Sequence, residues 1–432
     1  MSRTQLRRSI GPVGAIALAL GIVIGGGLLS LPGLVYAQAG GWAVFSWLLD
    51  GMVVLPLLVI FAALARTYPT AGGVAGFVGQ AFPKLQMGCS FLLIGTFGLG
   101  IPAIALTGAS YLVGVLFPDA AGDPRVTALA ALVLLLPACA TALLGARVAG
   151  FVQNIVVALL IGGLFLIVFL SIPSWHRVDF SAGQPSIAGL WQGAALAFFA
   201  YTGWEMLSFT AEEFRNPRRD FVIATAISFI LVLGLYAGIS LAVQALPQSD
   251  EPSATPLLAV ILDITHSRNA AGATALLMAA IILVNLNGAF WASSRLVFDI
   301  ARHGWLPCSW NLTELSQSTA APRRAILAVG LIFIAVLVGY GLSLWDLSLL
   351  LRLAGQNFFL LYAASTIVFF KLARTMAARA FGVLALIICI LYAGVFSWGL
   401  LYAGAIFALP YAARKLLART APLMPGVNDI RS

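Results

Sequence analysis

Two glycine-containing stretches inside long apolar runs have residue types that could hold a small polar solute. The first contains Gly25, Gly26 and Gly27, followed by Pro32, and the second reads Tyr-Thr-Gly-Trp-Glu over residues 201–205. Glycine costs a helix about 1 kcal/mol relative to alanine and tolerates positive φ, so three in a row favour an unwound point. We therefore expect both runs to be interrupted helices.

The ends of such half-helices carry opposite partial charges. A half-helix that begins near Leu28 would present free N–H groups and a positive dipole end to a carboxylate. Carbonyl groups near Gly25 and Tyr201, where the preceding half-helices end, would suit an ammonium group. This combination fits the zwitterionic head of an α-amino acid. For one cluster alone, Gly21, Gly25 and Gly26 could equally form a close-packing face, and it is the matched second interruption that favours a site.

Two acidic residues near the middle of the apolar runs, Glu205 and Asp50, are candidates for function. A carboxylate at the bilayer centre costs at least ~2.5 kcal/mol on insertion scales, so an intramembrane acid is a functional candidate by default. Glu205, between Trp204 and Met206, is a candidate gate or proton carrier, with capping of unwound backbone as the structural alternative. Asp50 has two equal interpretations, a side chain that reaches the far surface or a packing hydrogen bond.

The elements that must position these residues are transmembrane helices. The chain has 432 residues, of which 61% are hydrophobic and only 9% charged, and a bilayer core needs about 20 apolar residues per helix. We expect an all-α polytopic membrane protein with twelve transmembrane helices. The predicted spans are 11–37, 41–65, 87–117, 126–145, 148–172, 188–211, 221–246, 271–300, 324–342, 347–371, 378–394 and 396–413. A further short helix, re-entrant or interfacial, is expected within residues 67–83.

The basic residues predict the orientation of these spans. Most of the 24 lysines and arginines fall on the side that holds both termini. Only Arg125, Arg177 and Arg268 fall on the other side, and Arg352 lies within a span. By the positive-inside rule the termini are cytoplasmic and the protein lies in the cell (inner) membrane. The same distribution explains the net charge of +9 without a nucleic-acid partner.

The two interruptions also predict the internal organisation. They fall in spans 1 and 6, five spans apart, as in transporters built from two inverted five-helix repeats. We expect a single transporter domain over residues 1–432, with repeats at about 11–172 and 188–371 and peripheral helices at about 378–413. The first helix is expected to be uncleaved, because its apolar run is longer than a signal-peptide core.

Enzyme chemistry has little support in this sequence. The four cysteines have no metal-like or disulfide-like spacing, and the three histidines fall in predicted loops or span ends. No paired-aspartate, HExxH or Ser/His/Asp arrangement is present. We therefore predict no catalytic residues, no metal and no cofactor. The sequence does not indicate which oligomeric state the protein has.

Four motifs resemble those of the amino acid-polyamine-organocation (APC) transporters. They are IGGGLLSLPGL (24–34), RTYPTAGGVAGFVGQAF (66–82), FAYTGWEMLSFTAEEFRNPRRDFVIA (199–224) and SSRLVFDIARHGWLP (293–307). The combination is most similar to the bacterial amino acid efflux branch, whose exporters handle methionine and branched-chain amino acids. The resemblance implies the LeuT-like five-plus-five inverted-repeat fold, with helices 1 and 6 broken.

The resemblance also implies which residues contact the substrate. The implied substrate-binding residues are Ile24, Gly25, Gly26, Gly27, Leu28, Phe199, Tyr201, Gly203 and Trp204, with Glu205 at the position of a gating glutamate. The candidates for side-chain selectivity are Phe199, Trp204, Met206, Phe97, Ile101, Asn285, Asn287 and Phe290. Some family members carry a lysine in span 5 in place of a sodium ion, but the region near Leu160 and Ile161 is apolar here. Proton coupling through such a lysine is therefore excluded.

These observations lead to three hypotheses. The first is a secondary transporter of neutral, apolar L-amino acids (methionine, leucine, isoleucine and valine), directed outward and driven by protons or by exchange. It is favoured because no acid besides Glu205 is placed to hold a cationic side chain. The second is an importer or exchanger of the same fold for other amino acids or amines. The third is a sensor or scaffold without transport activity, for which a soluble output domain would be expected.

Overall fold

The described residues fold almost entirely into α-helices. The computed structural model describes residues 10–68, 73–120, 122–144, 146–204, 207, 213–247, 256–316, 321–393 and 399–420. The helices, in chain order, are α1 (Pro12–Val23), α2 (Gly26–Ala39), α3 (Ala43–Thr67), α4 (Gly73–Ala81), α5 (Gln86–Leu116), α6 (Pro124–Leu143), α7 (Ala146–Ser171), α8 (Ile187–Ala200), α9 (Pro217–Gln244), α10 (Pro256–Thr265), α11 (Arg268–Arg302), α12 (Arg323–Gly341), α13 (Leu347–Leu372), α14 (Met376–Ala393) and α15 (Gly399–Thr420).

The helices match the predicted spans closely. Eight stretches of the described chain are long and apolar enough to cross a bilayer, and shorter apolar helices include α1 and α10. The protein is therefore a multi-pass membrane protein, while the number of twelve crossings remains a prediction. The short helix expected within residues 67–83 is present as α4, whose apolar side chains, such as Phe77, are buried against α5 and α13.

The first predicted span consists of two helices. Helix α1 ends at Val23, and α2 begins at Gly26. Gly25, with φ of −150° and ψ of −145°, stands at the N-cap of α2. The Leu28 amide donates to the Gly25 carbonyl at 3.1 Å, which leaves the amides of Gly26 and Gly27 at the open end of the helix. The interruption is thus narrower than predicted, and α2 begins two residues before Leu28.

The two half-helices have different main neighbours. Helix α1 lies mainly against α9, α7 and α11, whereas α2 lies mainly against α8, and α9 contacts both. We call the side that holds Ile10 the near side and the side that holds Gly40 the far side. Gln244, at the far-side end of α9, accepts from the Val44 amide and donates to the Gly41 carbonyl, both at 2.9 Å. These bonds fix the turn between α2 and α3 to α9.

Candidate functional site

A small cavity lies where the interruption in the first span meets the end of α8. Its volume is about 30 Å³. It is lined by Ile22, Val23, Gly25, Gly27, Thr96, Phe97, Gly100, Ile101, Ile104, Ala200, Thr202, Gly203, Asn285 and Phe358. No lining residue carries a charge among the described residues. The wall thus consists of backbone from the two interruptions and mainly apolar side chains from α5 and α13.

Glycines allow the backbones around the cavity to approach closely. A Cβ at Gly27 would lie 2.6 Å from the Cα of Ala200, so the first turn of α2 touches the end of α8. A Cβ at Gly25 would lie 2.6 Å from Nδ2 of Asn285. Gly203, at φ of +113°, has a conformation that L side chains rarely adopt, and it backs onto the carbonyl of Ile22. The same glycines therefore allow the helices to pack closely and border the cavity.

Side chains from three other helices bond to the backbone of the two interruptions. The Asn285 side-chain amide donates to the carbonyl of Ile22. The Tyr236 hydroxyl donates to the Ala200 carbonyl at 2.9 Å and lies 3.3 Å from that of Val23. The Tyr111 hydroxyl donates to the carbonyl of Leu29. Sequence reasoning expected the carbonyls near Gly25 and Tyr201, at the ends of α1 and α8, to be open to an ammonium. Since each carbonyl oxygen has two lone pairs, a second donor can still be accepted.

Only some of the predicted substrate-binding residues line the cavity. Gly25, Gly27 and Gly203 line the cavity. Ile24 lies at another cavity that faces α7, and Leu28 is fully buried. Only the backbone is described for Gly26 and Phe199, and Glu205 and Met206 lie outside the described residues.

Tyr201 and Trp204 are buried but do not line the cavity. The Tyr201 hydroxyl donates to the carbonyl of Trp47 in α3 at 3.1 Å. The Trp204 ring lies 6.4 Å from that of Phe229 in α9. Both side chains therefore attach the backbone after α8 to its neighbours instead of facing the space between the interruptions.

The cavity wall contains some of the predicted selectivity residues and several residues that the sequence did not indicate. Of the selectivity candidates, Phe97, Ile101 and Asn285 line the cavity. Asn287 instead accepts from Thr141 at 2.8 Å, and the Phe290 ring packs at 5.2 Å from Phe333. Sequence reasoning missed Ile22, Val23, Thr96, Gly100, Ile104 and Phe358, whereas Ala200 and Thr202 fall within the predicted stretch 199–205. Among the missed residues, Phe358 is the least expected, since it comes from α13, and its ring lies 6.3 Å from that of Phe97.

A second, smaller cavity of about 10 Å³ lies between α1, α7 and α11. Its lining residues are Leu20, Gly21, Ile24, Val157, Leu160, Ile161, Leu164, Ile281 and Val284. All of these are apolar, including the span-5 positions where some relatives carry lysine. Within the described residues, this cavity has no side chain that could bind a cation.

On the near side, the start of α1 is bonded to the segment that precedes α9. The Ile10 amide donates to the carbonyl of Glu213 at 3.0 Å, and the Arg215 amide donates to that of Ile10 at 2.8 Å. The Glu213 carboxylate accepts from Arg295 Nε at 2.6 Å and from Trp291 Nε1 at 2.8 Å. Both charged side chains are only 3% exposed. This near-side cluster (Ile10, Glu213, Arg215, Trp291 and Arg295) joins the start of α1 to α11 through the segment that precedes α9.

On the far side, the loop after α7 covers the turn between α2 and α3. The Gly41 amide donates to the carbonyl of Ala182 at 2.8 Å. Ser181 donates to Asp179 from its hydroxyl at 2.6 Å and from its amide at 2.8 Å, and these bonds lower the pKa of that carboxyl. Arg177 pairs with Asp263 of α10 at 2.5 Å. The far side is thus closed by partly exposed contacts.

The comparisons with known proteins identify the family of this fold. Residues 10–423 match the amino acid permease family model. The chain belongs to the amino acid permease family. This agrees with the resemblance of its motifs to the APC superfamily, so the protein is an amino acid transporter and not an enzyme.

Individual relatives agree with this assignment. The chain is 27% identical to YecA of Bacillus subtilis (strain 168), an uncharacterized amino acid permease, over 94% of this chain and 95% of that protein. It is also 27% identical to YjeH of Escherichia coli (strain K12), an L-methionine/branched-chain amino acid exporter, over 92% and 94% of the two chains. The crystal structure of MhsT in complex with L-phenylalanine matches with a TM-score of 0.64 at 16% identity, over 90% of this chain and 98% of that one. The permease therefore has the fold of that transporter.

Proposed function

We propose that this permease exports neutral, apolar L-amino acids of the methionine, leucine, isoleucine and valine class by alternating access. The observation that carries the proposal is the wall of the cavity. Phe97, Ile101, Ile104 and Phe358 supply its apolar surface, and no charged side chain is among the described lining residues. A cationic or acidic side chain would lose hydration there without gaining a partner, whereas an apolar one loses nothing.

The substrate head is proposed to bind the backbone of the two interruptions. The amides of Gly26 and Gly27 at the start of α2 would receive the carboxylate, because a helix N-terminus favours an anion. The carbonyls at the ends of α1 and α8 would accept from the ammonium group beside their present donors. The stretches 24–28 and 199–204 thus act mainly through their main chain, and Glu205 is proposed as the gate or proton carrier next to them.

The size of the cavity supports alternating access. A cavity of about 30 Å³ is far smaller than the roughly 300–1,000 Å³ of typical small-molecule sites, so an amino acid fits only after the surrounding helices move. Both sides carry contacts that would separate in turn, the near-side cluster on one side and the loop over Gly41 on the other. We place the near side in the cytoplasm of a cell with an inner membrane, following the distribution of basic residues.

The proposed direction of transport and the proposed driving force are supported by different observations. The direction is supported by the likeness over nearly the whole chain to a protein named as an exporter. Protons or a counter-substrate are proposed as the driving force, because the cavity between α1, α7 and α11 is apolar where a cation would need oxygen ligands.

Counterflow in proteoliposomes tests the substrate class. Vesicles that contain the purified chain are loaded in turn with methionine, leucine, arginine or a polyamine, and uptake of radiolabelled leucine is measured. Methionine and leucine inside should stimulate uptake, and arginine and the polyamine should not. Stimulation by the cationic solutes alone would refute the proposal.

A second measurement tests the direction. Cells that express the chain should lose preloaded leucine faster than cells without it and should tolerate higher concentrations of leucine-containing peptides. If expression instead accelerates leucine accumulation, the chain is an importer or exchanger for the same substrates.

A further inference from the structure

Asp50 is a buried acid for which the transport site provides no role. It lies in α3, seven residues from Ala43, at a depth of about 10 Å from the far-side end of the helix. Its side chain is completely buried, which excludes the interpretation that it reaches the far surface. A charge at this depth of the bilayer is costly and usually marks function.

Tyr201 interacts with Asp50 and belongs to a set of three packed aromatic side chains that leads to the interruptions. The Tyr201 hydroxyl lies beside residue 51, where a Cβ on Gly51 would be 3.4 Å away, and it interacts electrostatically with Asp50. The rings of Tyr201 and Tyr236 pack edge to face at 5.0 Å, and those of Trp47 and Tyr236 at 5.1 Å. All three side chains are buried. The acid and the aromatic rings therefore form one compact group between α3, α9 and the end of α8.

This group is bonded to both interrupted helices. Tyr201 follows Ala200 directly, so it belongs to the interruption after α8. Tyr236 donates to the Ala200 carbonyl and lies within 3.3 Å of that of Val23, at the end of α1. A change in the charge at residue 50 would act on the tyrosine hydroxyls first, and through them on the carbonyls that border the cavity.

The described charges on the surrounding helices lie at one end of the bundle. Helix α3 packs against α9, α8, α13, α2 and α14. Where their side chains are described, the charges of these helices lie toward the near side, at Arg66, Arg219, Asp220, Lys371 and Arg379. Tyr201 is a titratable group that interacts electrostatically with Asp50.

We propose that Asp50 binds the proton that is coupled to amino acid transport and that Tyr201 and Tyr236 transmit its protonation to the interruptions of the first and sixth spans. The inference rests on the proposed transport function and assigns Glu205 to gating. The carboxylate takes a proton from water when the far side opens, carries it as the neutral acid through the closed state of the inward half-cycle and releases it to water on the near side. The outward half-cycle, with the amino acid bound, then proceeds with the carboxylate deprotonated. The proton moves inward as the amino acid moves outward.

Asp50→Asn tests this step because asparagine has nearly the same shape and cannot take up a proton. The full chain is reconstituted with the membrane potential clamped, and leucine accumulation is measured under a gradient of one pH unit, with leucine counterflow at equal pH as the measure of functional protein. One proton per leucine corresponds to about tenfold accumulation per pH unit. Wild type should approach this value, whereas Asp50→Asn should show counterflow without accumulation.

Asp119→Asn is the matched control, because Asp119 is an exposed acid after α5, outside the contacts that close the far side. It should accumulate leucine as wild type does. If Asp50→Asn accumulates leucine like this control, Asp50 is not the proton site. If wild type shows counterflow but no response to the gradient, the coupling proposal fails and the transport function stands. Absence of counterflow for every neutral amino acid in wild type would refute the function itself.

Two further variants cover the remaining outcomes. If Asp50→Asn is not recovered as folded protein, Asp50→Glu replaces it, because it keeps the carboxyl group. Asp50→Glu should shift the pH midpoint of leucine accumulation. An unchanged midpoint would overturn the proposal. Glu205→Gln should weaken counterflow and gradient-driven transport together. If it abolishes only the gradient response while Asp50→Asn retains it, the proton belongs to Glu205.

Discussion

Replacement of Gly27 by alanine tests whether the interruptions in the two spans form one site. The added Cβ would lie 2.6 Å from the Cα and 2.8 Å from the Cβ of Ala200. Carbon atoms in good contact are about 3.5–4.0 Å apart, so α2 and α8 must separate by about 1 Å. The obstructing atom is backbone and cannot rotate away. Because the contact borders the cavity, the displacement falls on the atoms proposed to bind the substrate head.

The cost of this displacement can be bounded. Overpacking of a well-packed interior costs about 1–3 kcal/mol, and the higher helix propensity of alanine returns up to about 1 kcal/mol. This leaves about 0–3 kcal/mol, of which we expect about 1–2 kcal/mol to appear as weaker leucine binding, because the displaced atoms border the cavity. At about 1.4 kcal/mol per factor of ten, the affinity for leucine should fall by about 5- to 30-fold. Binding of radiolabelled leucine to the purified chain measures the affinity, and the thermal unfolding midpoint measures the stability.

Gly234→Ala is the matched control for this prediction. Gly234 lies in α9, and a Cβ at this position would meet nothing within 4 Å. Its affinity for leucine should equal that of wild type, and its stability should be equal or slightly higher. If Gly27→Ala binds leucine as tightly as Gly234→Ala does, the end of α8 does not border the substrate site and the reasoning is refuted.

Three further perturbations have defined outcomes. Glu213→Gln leaves Arg295 charged in a buried position and should destabilise the protein by about 3–5 kcal/mol, seen as a lower unfolding midpoint, whereas an unchanged midpoint would mean that water reaches the pair. Tyr236→Phe removes the donor to Ala200 and should cost about 1 kcal/mol; a loss below the error of the unfolding measurement would contradict that bond. Cys308 is exposed, unlike Cys89 and Cys389. A membrane-impermeant maleimide should therefore label the Cys308 thiol in inverted vesicles but not in intact cells, with Cys308→Ser as the control. The reverse pattern would place the near side outside the cell.

The sequence was sufficient to predict the interruption in the first span, because three glycines and a proline conflict with a continuous helix. It was not sufficient to place the interruption to the residue. A helix N-terminus needs only one preceding residue outside the helical region, and Gly25 meets this need with φ of −150°. Gly26 and Gly27 can then enter the helix, so α2 begins before Leu28.

The wall of the cavity could not be predicted for a different reason. In a soluble protein the polar face of a helix reveals which side is outside, but lipid is as apolar as a protein interior. Phe97 and Phe358 are buried beside the cavity, whereas Phe169 is 67% exposed on the outer surface of α7. Nothing in the local sequence distinguishes these positions. The same holds for Tyr236 and Asn285, whose partners are backbone carbonyls far away in the chain.

In the near-side cluster, substitution of one partner should cost much stability, and yet the same ion pair can open in each transport cycle. A single substitution leaves one charge buried without its partner, and this stranded charge accounts for most of the measured loss. Movement of the segment that holds Glu213 away from α11 would instead expose both Glu213 and Arg295 to water, so each regains its hydration as the pair separates. The two backbone bonds between residue 10 and residues 213–215 would likewise be exchanged for bonds to water, at a net cost of about 1 kcal/mol each. The free energy of opening is therefore smaller than mutagenesis suggests, and a substrate that bridges the ends of α1, α2 and α8 can compete with it.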